Sequence, residues 1–239
     1  LKSIRNNMSK LLKTHETVKL HYGKYLYKLK IKNQLASIFR TEHQRKGTLS
    51  FAKQHLQEYN NATQDGLIIK KGRWNNVIIS NSDLVDANHI YACLRYYKKY
   101  MVRCEYNTLM IYTNNLNFLM KIANNMQSSD TEIWQPNQES LSFLKNNKNI
   151  ILVNTIPDLK FKVTFGRQIG NPQLATWLRS NTDKSRAGKI FLKNCSTSGW
   201  VNGQYIFVRD EKVLLFINMI AGNNIVKVEE LVYRHDIKS

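Results

Sequence analysis

An alternating segment followed by a helix-like segment occurs twice in the chain, and this repeat constrains the fold more than any other feature of the sequence. Residues 25–32 (YLYKLKIK) alternate with the two-residue period of a β-strand and lead into residues 34–40 (QLASIFR). Residues 159–165 (LKFKVTF) alternate in the same way and lead into residues 173–179 (QLATWLR). Both pairs have the pattern of a strand, a turn and the start of a helix, so the sequence predicts two related halves.

A second pair of matching segments follows in the same order, which strengthens the prediction of an internal duplication. These segments are residues 109–112 leading into a helix at 114–126, and residues 205–208 leading into a helix at 210–221. Asn114 and Asp210 are good helix N-caps, because a short polar side chain can accept a hydrogen bond from the first helical turn. Gly222 suits a left-handed helix end.

The predicted fold class is α+β, with two tandem ferredoxin-like halves of βαββαβ order. We expect a basic N-terminal arm or helix at 1–22, a first half at 23–136 with an insertion at 41–98, and a second half at 150–239. The second half is predicted to contain strands at 158–166, 189–195, 203–209 and 225–232, and helices at 171–181 and 210–222. The first half is predicted to contain a helix at 49–61, a hairpin at 67–80, a helix at 82–98, and strands at 100–106, 108–113 and 131–135.

The charge of the chain points to a polyanionic partner. The sequence holds 36 Lys and Arg residues against 17 Asp and Glu residues, a formal net charge of +19. So large a surplus repels itself in the compact state and attracts phosphates. No apolar run approaches the roughly 20 residues needed to cross a bilayer, so we expect nucleic acid rather than a membrane. Solubility alone is the alternative explanation of the charge.

Four basic clusters are candidates for contact with nucleic acid. Alternation places lysines on one face of each repeated strand, although alternating lysine also keeps a strand soluble and discourages edge pairing. In the second cluster, at residues 95–103, the cations are interleaved with tyrosines, which could instead cap the core. The third cluster, at residues 70–74, lies at the tip of the predicted hairpin, and the fourth, at residues 179–186, lies in a predicted loop. The candidates are Lys28, Lys30, Lys32, Lys160 and Lys162 on the strands; Arg95, Lys98, Lys99 and Arg103; Lys70, Lys71, Arg73 and Trp74; and Arg179, Lys184 and Arg186.

Catalytic signatures are missing from the sequence. It has no HExxH motif, no phosphate-binding glycine loop and no cysteine pair at metal-ligand spacing. We therefore expect no metal and no cofactor, and only His43 and His55 stand as weak candidates for a general acid or base. The three cysteines, an odd number, favour a reducing compartment such as the cytoplasm, or the interior of a virus particle.

The function expected from these features is non-enzymatic binding of RNA or single-stranded DNA, through a basic sheet face or the cleft between the halves. Two alternatives stay open. One is a structural protein of a virus or phage that contacts packaged genome, which would have a virion partner or form a homo-oligomer. The other is a metal-independent ribonuclease with two ferredoxin-like domains.

Overall fold

The computed structural model describes residues 12–40, 49–62, 67–71, 76–127 and 130–237. The chain divides into two units. Unit 1 comprises Leu1–Thr17 and Lys24–Pro136, and unit 2 comprises Val18–Gly23 and Asn137–Ser239. Each unit combines helices with a five-stranded sheet, so the prediction of two tandem α+β halves is confirmed.

Unit 1 contains seven described strands and three described α-helices. The strands are β1 (Lys13–Glu16), β2 (Tyr27–Lys32), β3 (Leu67–Lys71), β4 (Asn76–Ser80), β5 (Tyr100–Glu105), β6 (Thr108–Thr113) and β7 (Thr131–Gln135). The helices are α1 (Ser50–Ala62), α2 (Asn81–Tyr96) and α3 (Leu116–Asn124), with a 3-10 helix at Ala36–Phe39. The sheet order is β1-β7-β2-β6-β5, in which β1 is parallel to β7 and the other pairs are antiparallel. Strands β3 and β4 form a separate hairpin.

The sheet of unit 1 has one buried face, and the alternation of β2 determines which residues occupy it. Leu29 and Ile31 are fully buried together with Leu109, Ile111 and Ile133 of neighbouring strands. Helix α3 and the 3-10 helix pack against these strands. Each such aliphatic side chain stabilises the fold by about 1.5–3 kcal/mol when buried. Tyr27 is buried on this side too, and the alternating lysines Lys28, Lys30 and Lys32 therefore lie on the opposite face.

Unit 2 contains five described strands and four described α-helices. The strands are β8 (Ile150–Val153), β9 (Phe161–Phe165), β10 (Ser185–Ala187), β11 (Tyr205–Val208) and β12 (Ile225–Tyr233). The helices are α4 (Gln138–Asn146), α5 (Pro172–Ser180), α6 (Lys189–Ser196) and α7 (Glu211–Ala221), with 3-10 helices at Gly222–Asn224 and Arg234–Ile237. The sheet order is β10-β11-β9-β12-β8, in which β8 is parallel to β12 and the other pairs are antiparallel.

The core of unit 2 lies between one sheet face and helices α5, α6 and α7. Phe161, Val163 and Phe165 of β9 are buried there with Leu174 of α5 and Ile217 of α7. Lys162 and Thr164 alternate with these residues and are half-buried on the other face. Both units therefore place the basic side chains of a central strand opposite the helices.

The two sheets have the same strand order, which is what an internal duplication predicts. In unit 1 the four strands predicted from the sequence lie in the order β7-β2-β6-β5, and the corresponding strands of unit 2 lie in the order β12-β9-β11-β10. Each sheet also has a fifth strand, β1 or β8, that the sequence patterns did not predict. The ferredoxin-like assignment itself stays a prediction.

One predicted strand is wrong. Residues 189–195, predicted as a strand, form helix α6, and the shorter strand β10 takes the predicted place in the sheet. Phe191 and Cys195, one helical turn apart, are buried, whereas Lys193, which would share their face in a strand, is exposed. That pattern fits a helix with one buried face and not a strand. The turn at Asn202 and Gly203 consequently joins a helix to a strand, with Gly203 at φ +71°.

The predicted helix ends are partly confirmed. The Asp210 side chain accepts a 2.9 Å hydrogen bond from the Val213 backbone N–H and caps α7, and Gly222 ends that helix at φ +58°. In unit 1 the N-cap of α3 is Asn115 rather than Asn114, and it accepts a hydrogen bond from the Phe118 N–H. Asn114 instead accepts a hydrogen bond from the Leu26 N–H.

Candidate nucleic-acid interface

The lysines of β2 share a sheet face with cations from both ends of the sheet. Residues paired across neighbouring strands point to the same side. One row therefore runs Lys13, Glu132, Lys30, Met110 and Arg103 across all five strands, and the next runs His15, Trp134, Lys28, Tyr112 and Met101. Lys32 lies on the same side, opposite Thr108. We call this surface of Lys13, His15, Lys28, Lys30, Lys32, Arg103, Glu132 and Trp134 the unit 1 face.

Trp134 is held between two neighbours on the unit 1 face. The Lys28 Nζ atom lies 3.2 Å from the centroid of the Trp134 ring, and the His15 ring stacks on it at 4.4 Å with an interplanar angle of 17°. Because β7 lies between β1 and β2, these two groups approach the ring from opposite sides. The arrangement is a cation–π contact plus an aromatic stack, and it occupies the flat surfaces of the indole.

Glu132 contacts two other side chains of the unit 1 face. Its two carboxylate oxygens contact the Lys30 Nζ atom at 3.0 Å and the His15 Nε2 atom at 3.1 Å. The hydrogen bond from Lys30 holds the pKa of Glu132 below its usual range against the opposing effect of burial, and His15 adds to the lowering. Glu132 is therefore a carboxylate that orders the side chains of Lys30 and His15 at the centre of the face.

Lys28 is held in an environment that disfavours its own charge. Burial lowers its pKa, the neighbouring charge of Lys30 lowers it further, and Glu132 only partly opposes this. A lysine kept only for solubility extends into water and has no such conflict. An anion placed on this face would relieve the repulsion.

The corresponding surface of unit 2 also combines cations, aromatic rings and a glutamate, but in a different arrangement. Cross-strand pairing places Arg186, Phe207, Lys162 and Glu229 in one row, and Tyr205, Thr164 and Lys227 in the next. The Lys162 Nζ atom lies 3.8 Å from the centroid of the Tyr205 ring. Tyr205 is 46% exposed, and its ring meets the edge of Phe207 at 5.5 Å. We call the surface of Lys162, Arg186, Tyr205, Phe207, Lys227 and Glu229 the unit 2 face.

Glu229 is the buried anion of the unit 2 face, with a side chain only 4% exposed. It accepts hydrogen bonds from Lys227 at 2.8 Å and from Lys19 at 3.2 Å. Burial acts to raise its pKa, but the two lysines outweigh burial and the pKa is lowered. The pKa of Lys162, which pairs with Glu229 across the strands, is lowered by burial and by the charge of Lys19.

The remaining predicted contact residues are more scattered. Lys160 forms a 3.0 Å ion pair with Glu230, whose hydrogen bond raises the pKa of the lysine. Arg103 pairs with Glu105 at the edge of the unit 1 face. Arg95, Lys98 and Lys99 are exposed where α2 leads into β5.

Arg179 and Lys184 lie away from the sheet faces, and half of one predicted cluster lies outside the described residues. The Arg179 guanidinium donates to the Ser196 Oγ atom, linking α5 to α6 in the helical layer, and Lys184 lies in the turn before β10. Lys70 and Lys71 pair with Val77 and Asn76 in the β3–β4 hairpin, which confirms that hairpin. Arg73 and Trp74 lie outside the described residues.

The two histidines suggested for catalysis cannot be assembled into a described site. His43 lies outside the described residues. His55 lies on α1, with its Nδ1 atom 3.1 Å from Glu58 of the same helix and its ring against Phe51 and Tyr59. Within the part of the chain that the structure describes, no group of three His, Cys, Asp or Glu residues is placed to hold a metal ion. Among the same residues, no helix is both long and apolar enough to span a bilayer.

Several residues of these faces were missed by sequence reasoning. Trp134, Tyr205, Glu132 and Glu229 become neighbours of the predicted lysines only through strand pairing between distant segments. Charged residues within the alternating sequences of β7 and β12 were the available signal for Glu132 and Glu229. Alternation does not reveal which strands are neighbours in the sheet, so it could not identify the partners of the lysines.

The fold and these two surfaces define an α+β protein of two units, each of which carries a basic, aromatic-containing sheet face opposite its helices. Comparison with protein-family models, with curated proteins and with solved structures gave no match to the chain.

Proposed function

We propose that this protein binds nucleic acid, RNA or single-stranded DNA, through the unit 1 face and the unit 2 face, without catalysing a reaction. The observation that carries the proposal is the position of Lys28 and Lys162. In both units a lysine of the central strand is partly buried on an aromatic ring of an adjacent strand, where its charge is disfavoured. A phosphate bound beside these lysines would favour their charged form.

The formal charge of +19 supports the proposal but does not localise the interface. The gathering of cations beside aromatic rings on the two faces supports the choice of these surfaces as the interface. Basic grooves with aromatic side chains are the surfaces with which proteins bind single strands.

A charge-matched pair of variants tests the proposal. The face variant carries Lys28→Gln, Lys32→Gln and Lys162→Gln. The control variant carries Lys53→Gln, Lys121→Gln and Lys193→Gln, three exposed lysines on helices α1, α3 and α6. Both variants lose the same charge, so a difference in affinity for single-stranded oligouridine separates a defined interface from general attraction.

We expect the face variant to bind more weakly and with a shallower dependence of log K on log salt, by about 0.7 for each phosphate contact removed. The control variant should lose less affinity and keep the slope of the wild type. Equal losses in both variants, or no binding of the wild type at low salt, would rule the proposal out. Gel analysis of the RNA after the assay shows whether it is cleaved, which is the outcome that the ribonuclease alternative requires.

A further inference from the structure

We infer that unit 2 stacks unpaired bases on Tyr205 and Trp200, whereas unit 1 contacts only the phosphate backbone. This inference rests on the proposed function and assigns different parts of the ligand to the two units. Its basis is the different exposure of the aromatic rings that accompany the lysines.

The Trp134 ring of unit 1 is already covered. His15 stacks on it and the Lys28 ammonium lies over it, so a base could stack there only after displacing one of them. Tyr112, in the same row, is 5% exposed. Apart from the His15 imidazole, whose side chain is 43% exposed, the unit 1 face therefore offers cations but no accessible aromatic surface in these two rows.

Unit 2 offers accessible rings instead. Tyr205 is 46% exposed and Trp200 is 59% exposed. Each has a cation beside it, because the Lys162 Nζ atom lies 3.8 Å from the centroid of Tyr205 and the Arg167 guanidinium lies 5.8 Å from the centroid of Trp200. An aromatic surface next to a cation can hold a base and its phosphate together.

The two rings lie at the same end of the unit 2 sheet and on a well-connected framework. Trp200 forms a β-bridge with Ile169, just beyond the end of β9, and β11 begins at Tyr205. Backbone hydrogen bonds from Val201 N–H to Gln168 O and from Gly203 N–H to Phe165 O hold the two segments together. Because the backbone that carries both rings is held in this way, little backbone freedom is lost when a base stacks on them.

A single strand is the ligand class that fits these rings. Bases within a duplex are stacked on each other and present only their edges, whereas unpaired bases can be splayed onto an aromatic side chain. The same rings could in principle meet an apolar protein surface, but a protein partner would not depend on the presence of bases.

The test compares three strands of equal length: a single-stranded oligothymidine, the same backbone with abasic sites, and a duplex. The variants are Tyr205→Leu and Trp200→Leu, with Tyr205→Phe as the conservative change. Tyr106→Leu is the control, because Tyr106 is 94% exposed on the β5–β6 turn of unit 1 and should make no base contact.

We expect the wild type to prefer oligothymidine to the abasic strand, and Tyr205→Leu and Trp200→Leu each to lower the affinity for oligothymidine by about 10-fold or more. Affinity for the abasic strand and for the duplex should change little, and Tyr205→Phe and Tyr106→Leu should retain the preference. Unchanged affinity for oligothymidine in either leucine variant overturns the inference while leaving the proposed function intact. Failure of the wild type to bind any of the three strands overturns the proposed function itself.

Discussion

Glu229 is the residue whose environment gives the clearest expectation for stability. Its carboxylate is buried and held by Lys19 and Lys227. Replacing it by Gln would leave two lysines without their anion, and we expect a loss of about 1–3 kcal/mol in the free energy of unfolding at neutral pH. That is less than the usual cost of breaking a fully buried pair, because both lysines are partly solvated. Urea denaturation of Glu229→Gln measures the loss.

The pH dependence of this loss follows from the lowered pKa of Glu229. A carboxyl whose pKa is lower in the folded state stabilises the protein above its unfolded value, here 4.5, and loses that contribution as the pH falls through the folded value. The difference between wild type and Glu229→Gln should therefore shrink below pH 4.5. Glu230→Gln is the matched control, since the Glu230 side chain is 39% exposed and should cost less. An equal loss in the two variants would contradict the assignment of Glu229 as a buried anion.

For a single residue, the sequence predicts which face of the sheet it occupies but not which side chains it contacts. The alternation of β2 and β9 correctly separates Lys28 and Lys162 from the buried side chains, because alternation is a local property of the chain. The partners of these lysines, Trp134 and Tyr205, depend on strand register between segments far apart in sequence. A one-residue change of register would place different side chains beside them, so the sequence alone cannot name the contacts.

At the scale of elements, helix α7 depends on its N-cap. The Asp210 carboxylate accepts a hydrogen bond from the Val213 N–H, which also lowers the pKa of Asp210. Asp210→Ala removes the cap, and we expect it to lower the midpoint temperature of unfolding. Thermal unfolding followed by circular dichroism measures this. Glu211→Ala is the control because Glu211 lies in the same first turn without capping the helix, and a loss as large as that of Asp210→Ala would contradict the capping role.

The elements also divide into those that sequence patterns could predict and those that they could not. The β5–β6 strands and β7 combine β-forming residues with clear turns, and each was predicted to within one residue of its observed bounds. Helix α6 was mistaken for a strand because its short apolar run has no clear period. Strands β1 and β8 have four residues each, and they are stabilised by parallel pairing with β7 and β12 rather than by a pattern of their own.

For the whole molecule, the shared strand order gives the internal repeat a structural meaning. Each unit places its central-strand lysine opposite a glutamate of the adjacent strand, with Lys30 across from Glu132 and Lys162 across from Glu229. This correspondence could not be seen in the sequence, where the repeat of residues 25–40 and 159–179 is clear but the glutamates lie about 70 to 100 residues later. The shared strand order and these lysine–glutamate pairs are what a duplicated scaffold predicts, whereas the aromatic contact is made by Lys28 with Trp134 in unit 1 and by Lys162 with Tyr205 in unit 2.

Binding by the whole protein should depend on pH in a way that reports Lys28 and Lys162. Burial and neighbouring lysines lower the pKa of both below the ordinary value of 10.5. Phosphate favours the charged ammonium and so raises these pKa values in the complex. Affinity for single-stranded oligouridine should then be greatest below the pKa values of the free protein and fall as the pH rises through them, with proton uptake on binding. Titration calorimetry in two buffers of different ionisation enthalpy measures that uptake.

The double variant with Lys28→Arg and Lys162→Arg separates these two groups from all others that titrate at alkaline pH. Arginine stays charged throughout this range and can also lie over an aromatic ring, so the variant should bind single strands but lose most of the proton uptake. Loss of the proton uptake in this variant would show that the uptake by the wild type comes from Lys28 and Lys162. Proton uptake that persists unchanged in the arginine variant would show that phosphate does not contact Lys28 or Lys162, and would move the interface away from both sheet faces.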